Sequence, residues 1–194
     1  LVVSSLFHPS FAEYQPYDQA QANISMGVSY LTNYVLTQFS TVGEARVGLE
    51  KVRVVPIPEP ALGGIPAPMH LMATDQTGKS IVVEYLKGEL KVFDNPLRVM
   101  TNAPSFDWHM TNLRNYINFS ATPIPTKQIE GLDFAPLGAG SGLLGIPGDY
   151  TPPSRFIRAV VYTQIARQTP DGPEAIYEVF RILDNFNLPL GSAE

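Results

Sequence analysis

Between Met69 and Phe93 the chain runs through three short apolar stretches divided by two tight turns, and this pattern limits the possible folds most. Met69 to Thr74 reads as a strand and Asp75-Gln76-Thr77-Gly78 as a turn. Ser80 to Tyr85 and Glu89 to Phe93 alternate around Lys87-Gly88, a hairpin signal. Strands joined this closely pair antiparallel, because parallel neighbours need a crossover of a dozen or more residues. Leu97 to Met100 is a further apolar stretch, so three or four strands are expected in succession. Residues 1 to 7 predict another buried strand, and Val52 to Ile57 a short one. Pro56 to Pro68 holds five prolines and an adjacent glycine pair, the composition of a loop.

Helical periodicity flanks this run on both sides. Ile24, Val28, Leu31, Val35 and Phe39 recur at spacings of 3 and 4 and predict one helix from Ala22 to Phe39. Thr41-Val42-Gly43-Glu44 fits a capping box, in which each side chain satisfies a free backbone N–H, so a second helix should run to about Lys51. Phe106 to Ile117 is expected to be helical with Ser105 as its N-cap. Ser154 to Arg167 follows with Phe156, Val160, Val161 and Ile165 on one face. Pro173 to Asn185 closes the series, its Ile176, Val179, Phe180 and Leu183 forming an expected core stripe. Helices clustered at both ends of a strand run indicate the α+β class. Asn118 to Tyr150 is long and rich in Gly and Pro, and loops of this length usually serve function or interaction.

Composition narrows the function classes. With 194 residues, 44% apolar and 16% charged, the chain suits one domain, 1–194, with a sizeable core. Its formal charge of −5 offers no basic patch to nucleic acid or to an anionic membrane. No apolar run reaches the roughly 18–20 residues a membrane helix needs. There is no cysteine, so disulfides, thiolate metal sites and cysteine nucleophiles are absent from these residues. The opening Leu1-Val2-Val3 reads as mid-strand, and Leu188 to Glu194 follows a helix with no closing element. Both ends suggest a longer parent protein, and the compartment, cytoplasmic or periplasmic, is not legible.

Few residues stand out for chemistry. His8, His70 and His109 lie far apart without metal-ligand spacing, which favours structural or surface roles and no bound metal. Gly138-Ala139-Gly140-Ser141-Gly142 lacks the Lys-Ser/Thr and helix start of a phosphate loop and reads as a turn. Asn102, after an apolar stretch and before Ala103-Pro104, is either a turn asparagine or a carboxamide donor for an oxyanion. Arg155 sits near a helix start, where the dipole disfavours it. It is either a surface or ion-paired arginine or one that meets a charged group.

Three separated segments then carry a resemblance. Val92-Phe93-Asp94-Asn95 through Val99-Met100-Thr101-Asn102-Ala103-Pro104-Ser105-Phe106-Asp107-Trp108-His109 is similar to a signature of the choloylglycine hydrolase family, which includes bile salt hydrolases and penicillin V acylases. Pro147-Gly148-Asp149-Tyr150-Thr151-Pro152-Pro153-Ser154-Arg155-Phe156-Ile157-Arg158 resembles its second signature, and Asp75 with Thr77 to Glu84 a third. The three occur in order, and the resemblance as a whole extends over nearly the whole chain, weakest before Thr41 and across the Pro56 to Pro68 loop.

The resemblance implies an N-terminal-nucleophile (Ntn) hydrolase fold. This is a four-layer αββα sandwich with antiparallel sheets, here truncated at both ends. It implies an amidase acting on small N-acyl amides, conjugated bile salts or penicillin V among them, with no cofactor. A processed N-terminal cysteine attacks the amide in that family, with its own α-amino group as base. Here that cysteine would precede Leu1. By the same resemblance Asn102 is the oxyanion-hole asparagine and Arg155 the active-site arginine. Phe7 stands at the other oxyanion position, often Asn or Tyr in the family. The Phe7 backbone N–H remains a donor there, while a side-chain contact to substrate is lost. The Asn118 to Tyr150 segment resembles the loop that reaches across subunits in tetrameric relatives, which implies a homotetramer. The rival expectation is a catalytically inactive relative that keeps the scaffold as a binding or structural protein.

Overall fold

The computed structural model describes residues 1–192; residues 193 and 194, which end the Leu188 to Glu194 run, lie outside the described residues. Two compact units divide the chain, Leu1–His109 and Met110–Glu194. The first carries strands β1 (Val2–Phe7), β2 (Ser25–Gly27), β3 (Arg53–Val55), β4 (Pro58–Glu59), β5 (Ile65–Pro66), β6 (Met69–Thr74), β7 (Ser80–Leu86) and β8 (Glu89–Asp94). It also holds helices α1 (Leu31–Gln38) and α2 (Val42–Leu49), and helix α3 (Phe106–Leu113) begins in it. The second unit holds the hairpin of β9 (Lys127–Ile129) and β10 (Leu132–Phe134), then α4 (Pro152–Ile165) and α5 (Gly172–Leu183).

A four-stranded antiparallel sheet in the order β1-β6-β7-β8 organises the first unit. Its turns follow from local chemistry. Between β6 and β7, Asp75 Oδ1 accepts from Thr77 N at 2.9 Å and Gly78 takes a φ of +80°. Between β7 and β8, Leu86 pairs with Glu89 across Lys87 (φ +54°) and Gly88 (φ +77°). Two consecutive positive φ values match the strand twist in a two-residue hairpin. The fourth strand is β1, not Leu97 to Met100. That stretch is irregular, with Arg98 at φ +56° and Asn95 Nδ2 donating to Val99 O at 3.0 Å.

β7 is buried on both faces, as a central strand must be. Ile81, Val83 and Tyr85 pack with Leu71 and Ala73 of β6, Leu31 and Val35 of α1, and Val42, Ala45 and Leu49 of α2 in one apolar core. The expected capping box starts α2: Thr41 Oγ1 accepts from Glu44 N at 3.2 Å, and Glu44 Oε2 accepts from Thr41 N at 3.1 Å. Val82 and Glu84 point to the opposite face, since side chains alternate along a strand.

The helix expected from Ala22 to Phe39 is broken. A 3-10 turn covers Gln19–Ile24, β2 pairs in parallel with β3, a second 3-10 turn covers Val28–Tyr30, and only Leu31–Gln38 is α-helical. Pairing overrides periodicity because Gly27 is extended and tightly approached: a Cβ there would lie 2.9 Å from Ile57 Cγ1. The stripe on α5 forms as a helix face, but Ile176, Val179, Phe180 and Leu183 are all more than half exposed. The expected burial is not met, because no described segment covers that face. At the Gly138 to Gly142 run a 3-10 turn covers Ala139–Leu143, and a Cβ at Gly142 would meet Ser120 O at 2.3 Å and Thr122 O at 2.4 Å.

Candidate active site

Sheet register gathers residues that the sequence keeps apart. β1 and β6 pair with Leu6 opposite His70, and β6 and β7 with Leu71 opposite Val83. One further step along that ladder sets His70 across from Glu84. Alternation places His8, two residues after Leu6, on the same side. All three are buried. His70 Nδ1 lies 2.9 Å from Glu84 Oε1, the distance at which a carboxylate accepts from an Nδ1–H. The His8 ring stacks on His70, with centroids 4.2 Å and planes 15° apart, and on Phe11 at 5.5 Å. Burial, reinforced by the neighbouring His70 ring and opposed by Glu84, pushes His8 down to about 4. His8 is therefore neutral at pH 7.

Glu84 also reaches out of the sheet. Phe106, the first residue of α3, donates its backbone N–H to Oε1 and Oε2 at 3.1 Å each. A carboxylate at a helix N-terminus meets both a donor with no intrahelical acceptor and the positive end of the dipole. Ser105, expected as the cap, donates its Oγ to Asp107 Oδ1 at 2.5 Å.

Asn102 lies in the segment between β8 and α3. Its Nδ2 donates to Phe7 O at 2.7 Å, and its own carbonyl stands 3.1 Å from His109 Nε2 on α3. The structure thus brings together Asn102 and Phe7, two of the three residues singled out in the sequence. Phe7 is half exposed at the end of β1, and Asn102 is partly exposed.

Arg155 belongs to the second unit, on the first turn of α4. Its Nε donates to Tyr150 O at 3.0 Å. Burial, and then the nearby Arg158 charge, lower its pKa. The preceding segment is held by Asp149, which accepts from Thr151 N at 2.9 Å, Thr151 Oγ1 at 2.5 Å and Ser154 Oγ at 2.6 Å. These bonds hold the Asp149 carboxyl down at about 2. Buried Arg158 donates to Pro147 O at 2.8 Å and Asp149 O at 2.5 Å. The second signature is therefore a self-closed turn that fixes where Arg155 leaves the backbone.

The His8–His70–Glu84 cluster and the role of His109 were not legible from spacing in the sequence. The parity of Leu6, His70 and Glu84 on paired strands is the signal that finds them, and it needs the register. Donor atoms of His8, His70 and Glu84 lie within 4.8 Å of one another, close enough for a metal ion. Two features argue against that use. Near-parallel stacked imidazoles direct their in-plane lone pairs alongside one another instead of at one point, and Glu84 Oε1 already accepts from His70 and Phe106.

Comparison with known proteins agrees with the signatures. The model for linear amide C–N hydrolases of the choloylglycine hydrolase family matches residues 1–194. A bile salt hydrolase/transferase of Clostridium perfringens is 36% identical over 190 residues, 97% of this chain and 57% of that protein. A conjugated bile acid hydrolase of Lactobacillus gasseri is 32% identical over 99% of this chain and 60% of its own length. A crystal structure of a variant of the C. perfringens conjugated bile acid hydrolase superposes with a TM-score of 0.85 at 35% identity, covering 99% of this chain and 58% of that one. The structure of penicillin V acylase from Agrobacterium tumefaciens gives a TM-score of 0.72 at 25% identity, over 99% and 51% of the two chains. The chain thus spans less than two thirds of the length of these relatives. Matched along its whole length, and sharing the α+β fold of the solved N-terminal-nucleophile hydrolases, the chain belongs to the choloylglycine hydrolase family of linear amide C–N hydrolases.

Proposed function

We propose that the protein containing this chain hydrolyses linear amides, releasing an apolar acyl group from an amine, an amino acid or a β-lactam nucleus. Conjugated bile salts and penicillin V-like amides are the substrate class. The nucleophile is an N-terminal cysteine outside these 194 residues, which contain none. Its thiolate adds to the amide carbonyl, and the carbonyl oxygen becomes an oxyanion. Collapse breaks the C–N bond and releases the amine with a proton from the α-ammonium group. Water then hydrolyses the thioester to the free acid. Asn102 Nδ2 and the Phe7 backbone N–H are the oxyanion donors, and Arg155 steadies the charges around the thiolate. No cofactor enters this chemistry.

One observation carries the reading: the Asn102 carboxamide, gripped by Phe7 O at 2.7 Å, lies beside the strand end that supplies the second donor. An amide nitrogen has two hydrogens, so one bond to Phe7 O sets the direction of the other. A preorganised donor of this kind is worth about 3 kcal/mol in the transition state. The test is to incubate the whole protein with glycine- and taurine-conjugated bile acids and with penicillin V, and to measure free glycine, taurine and 6-aminopenicillanic acid. Release of any one supports the reading; inertness towards all three opposes it.

Phe7 favours a second reading, an inactive relative that binds without cleaving, because its side chain offers no polar contact where relatives often have Asn or Tyr. The residue at the processed N-terminus separates the two. A cysteine supports catalysis, and a residue with no nucleophilic group supports binding alone. The whole protein is also proposed to be a homotetramer. The β9–β10 hairpin supports this with exposed Ile129, Leu132 and Phe134; a monomer by light scattering would refute it.

A further inference from the structure

Two routes lead from Glu84 to Asn102, and each ends on a different atom of that residue. In the first, both carboxylate oxygens accept from Phe106 N at 3.1 Å, which fixes the start of α3. One turn on, His109 is buried, and its Nε2 meets the Asn102 carbonyl at 3.1 Å. In the second, Glu84 Oε1 holds His70 Nδ1 at 2.9 Å, and His70 stacks on His8 at 4.2 Å. His8 N donates to Pro68 O, and the residue before it, Phe7, presents the carbonyl that accepts from Asn102 Nδ2 at 2.7 Å. The loop bearing Asn102 is thus held by its main chain and its side chain, and both holds trace to one carboxylate.

We propose that Glu84 is a positioning residue for the Asn102 carboxamide, acting through Phe106 and His109 on one side and through His70, His8 and the Phe7 carbonyl on the other. This rests on Asn102 being the oxyanion donor. The cluster itself is buried. Glu84 matters because a donor aimed at an oxyanion works only within a few tenths of an ångström, and a displacement of about 1 Å can cost a hundredfold in rate. A carboxylate suits the task better than an amide would, since it alone accepts from the peptide N–H and the imidazole N–H together without presenting a donor to either.

The experiment is a double-mutant cycle on the whole protein, with turnover of a conjugated bile acid as readout. Glu84→Gln keeps the side-chain shape but replaces one acceptor with a donor. It should lower kcat about tenfold and leave KM within about twofold. In the Asn102→Ala background the same change should have almost no further effect on kcat, because the group it positions is gone. An unchanged kcat in Glu84→Gln, or a loss repeated in full in the Asn102→Ala background, overturns the proposal. His109→Phe provides the same test should Glu84→Gln not fold: a kcat loss that vanishes with Asn102→Ala supports the network, and one that persists refutes it. If Asn102→Ala alone leaves turnover normal, the oxyanion reading fails. If it abolishes turnover while Glu84→Gln and His109→Phe do not change it, only the positioning role fails.

Discussion

Asn102 and Phe7, ninety-five residues apart in sequence, are joined by a 2.7 Å hydrogen bond from the carboxamide to the backbone carbonyl. The bond ties the segment leading into α3 to the end of β1. The two residues that the family resemblance nominates as oxyanion donors are therefore neighbours, and the geometry of one depends on the other.

Replacing Asn102 with Ala in the whole protein is expected to cut kcat on a conjugated bile acid by about 10²–10³-fold, the cost of removing one oxyanion donor. The fold should barely respond, because a partly exposed neutral hydrogen bond contributes only about 1 kcal/mol. Steady-state kinetics alongside a thermal melt separates these effects. A variant that keeps normal turnover, or one that loses turnover only by unfolding, contradicts the assignment.

Buried His8 makes the first unit acid-sensitive. Its folded pKa of about 4 lies below the ordinary 6.5, chiefly through burial. Unfolded chains therefore take up a proton below pH 6.5 that the native state refuses until about pH 4, and stability falls as pH drops through that window. His8→Phe keeps a flat ring for the stack on His70 and Phe11 and removes the titration. Its denaturation midpoint should change less than the parent's between pH 7 and pH 4.5. Equal slopes in the two proteins would show that His8 does not titrate in this way.

How much of this the sequence disclosed depended on the range of each interaction. The β6–β7–β8 meander was readable because turns at Asp75–Gly78 and Lys87–Gly88 are set by adjacent residues, and so was the Thr41–Glu44 capping box. The Ala22–Phe39 stretch misled because Ser25–Gly27 is claimed by β3, a pairing across some 28 positions (Ser25 to Arg53) that helical periodicity does not register. Asn102 and Arg155 emerged from motif resemblance, and chemistry alone left each with two readings. The Glu84 cluster stayed hidden because three isolated residues converge only once the β1–β6–β7 register is known. The α5 stripe was correctly placed on one face, yet amphipathicity says nothing of whether a partner covers it.

Gly142→Ala should destabilise the second unit, in line with the about 1–3 kcal/mol typical of overpacked sites. The added Cβ would lie 2.3 Å from Ser120 O and 2.4 Å from Thr122 O, both backbone atoms with little room to move. Hydrogen exchange should report faster opening of the 120–142 segment, where Ser120 N donates to Gly142 O and Ile124 N to Ser141 Oγ. Exchange at parental rates would mean the loop relaxes without cost. Gly140→Ala, with nothing near its Cβ position, is the control and should be nearly silent.

Asp149 gives the second unit its own acid limb, at lower pH than that of His8. Hydrogen bonds from Ser154 and Thr151 hold its carboxyl at about 2, below the ordinary 3.8. A depressed carboxyl contributes fully above its unfolded pKa, and that contribution fades as pH falls from about 4 to about 2. Asp149→Asn still offers an acceptor to Thr151 but does not titrate. Its stability should be lower than the parent's at pH 6, and the gap should close as pH approaches 2. Amide exchange along α4 is the appropriate probe, because Asp149 closes the turn from which that helix starts and a global melt would mix in the carboxylates of the first unit. A constant gap across pH 6 to 2 would place the stabilisation in hydrogen bonding that does not depend on ionisation. A closing gap would tie the placement of Arg155, through its bond to Tyr150 O, to the charge on the residue beside it.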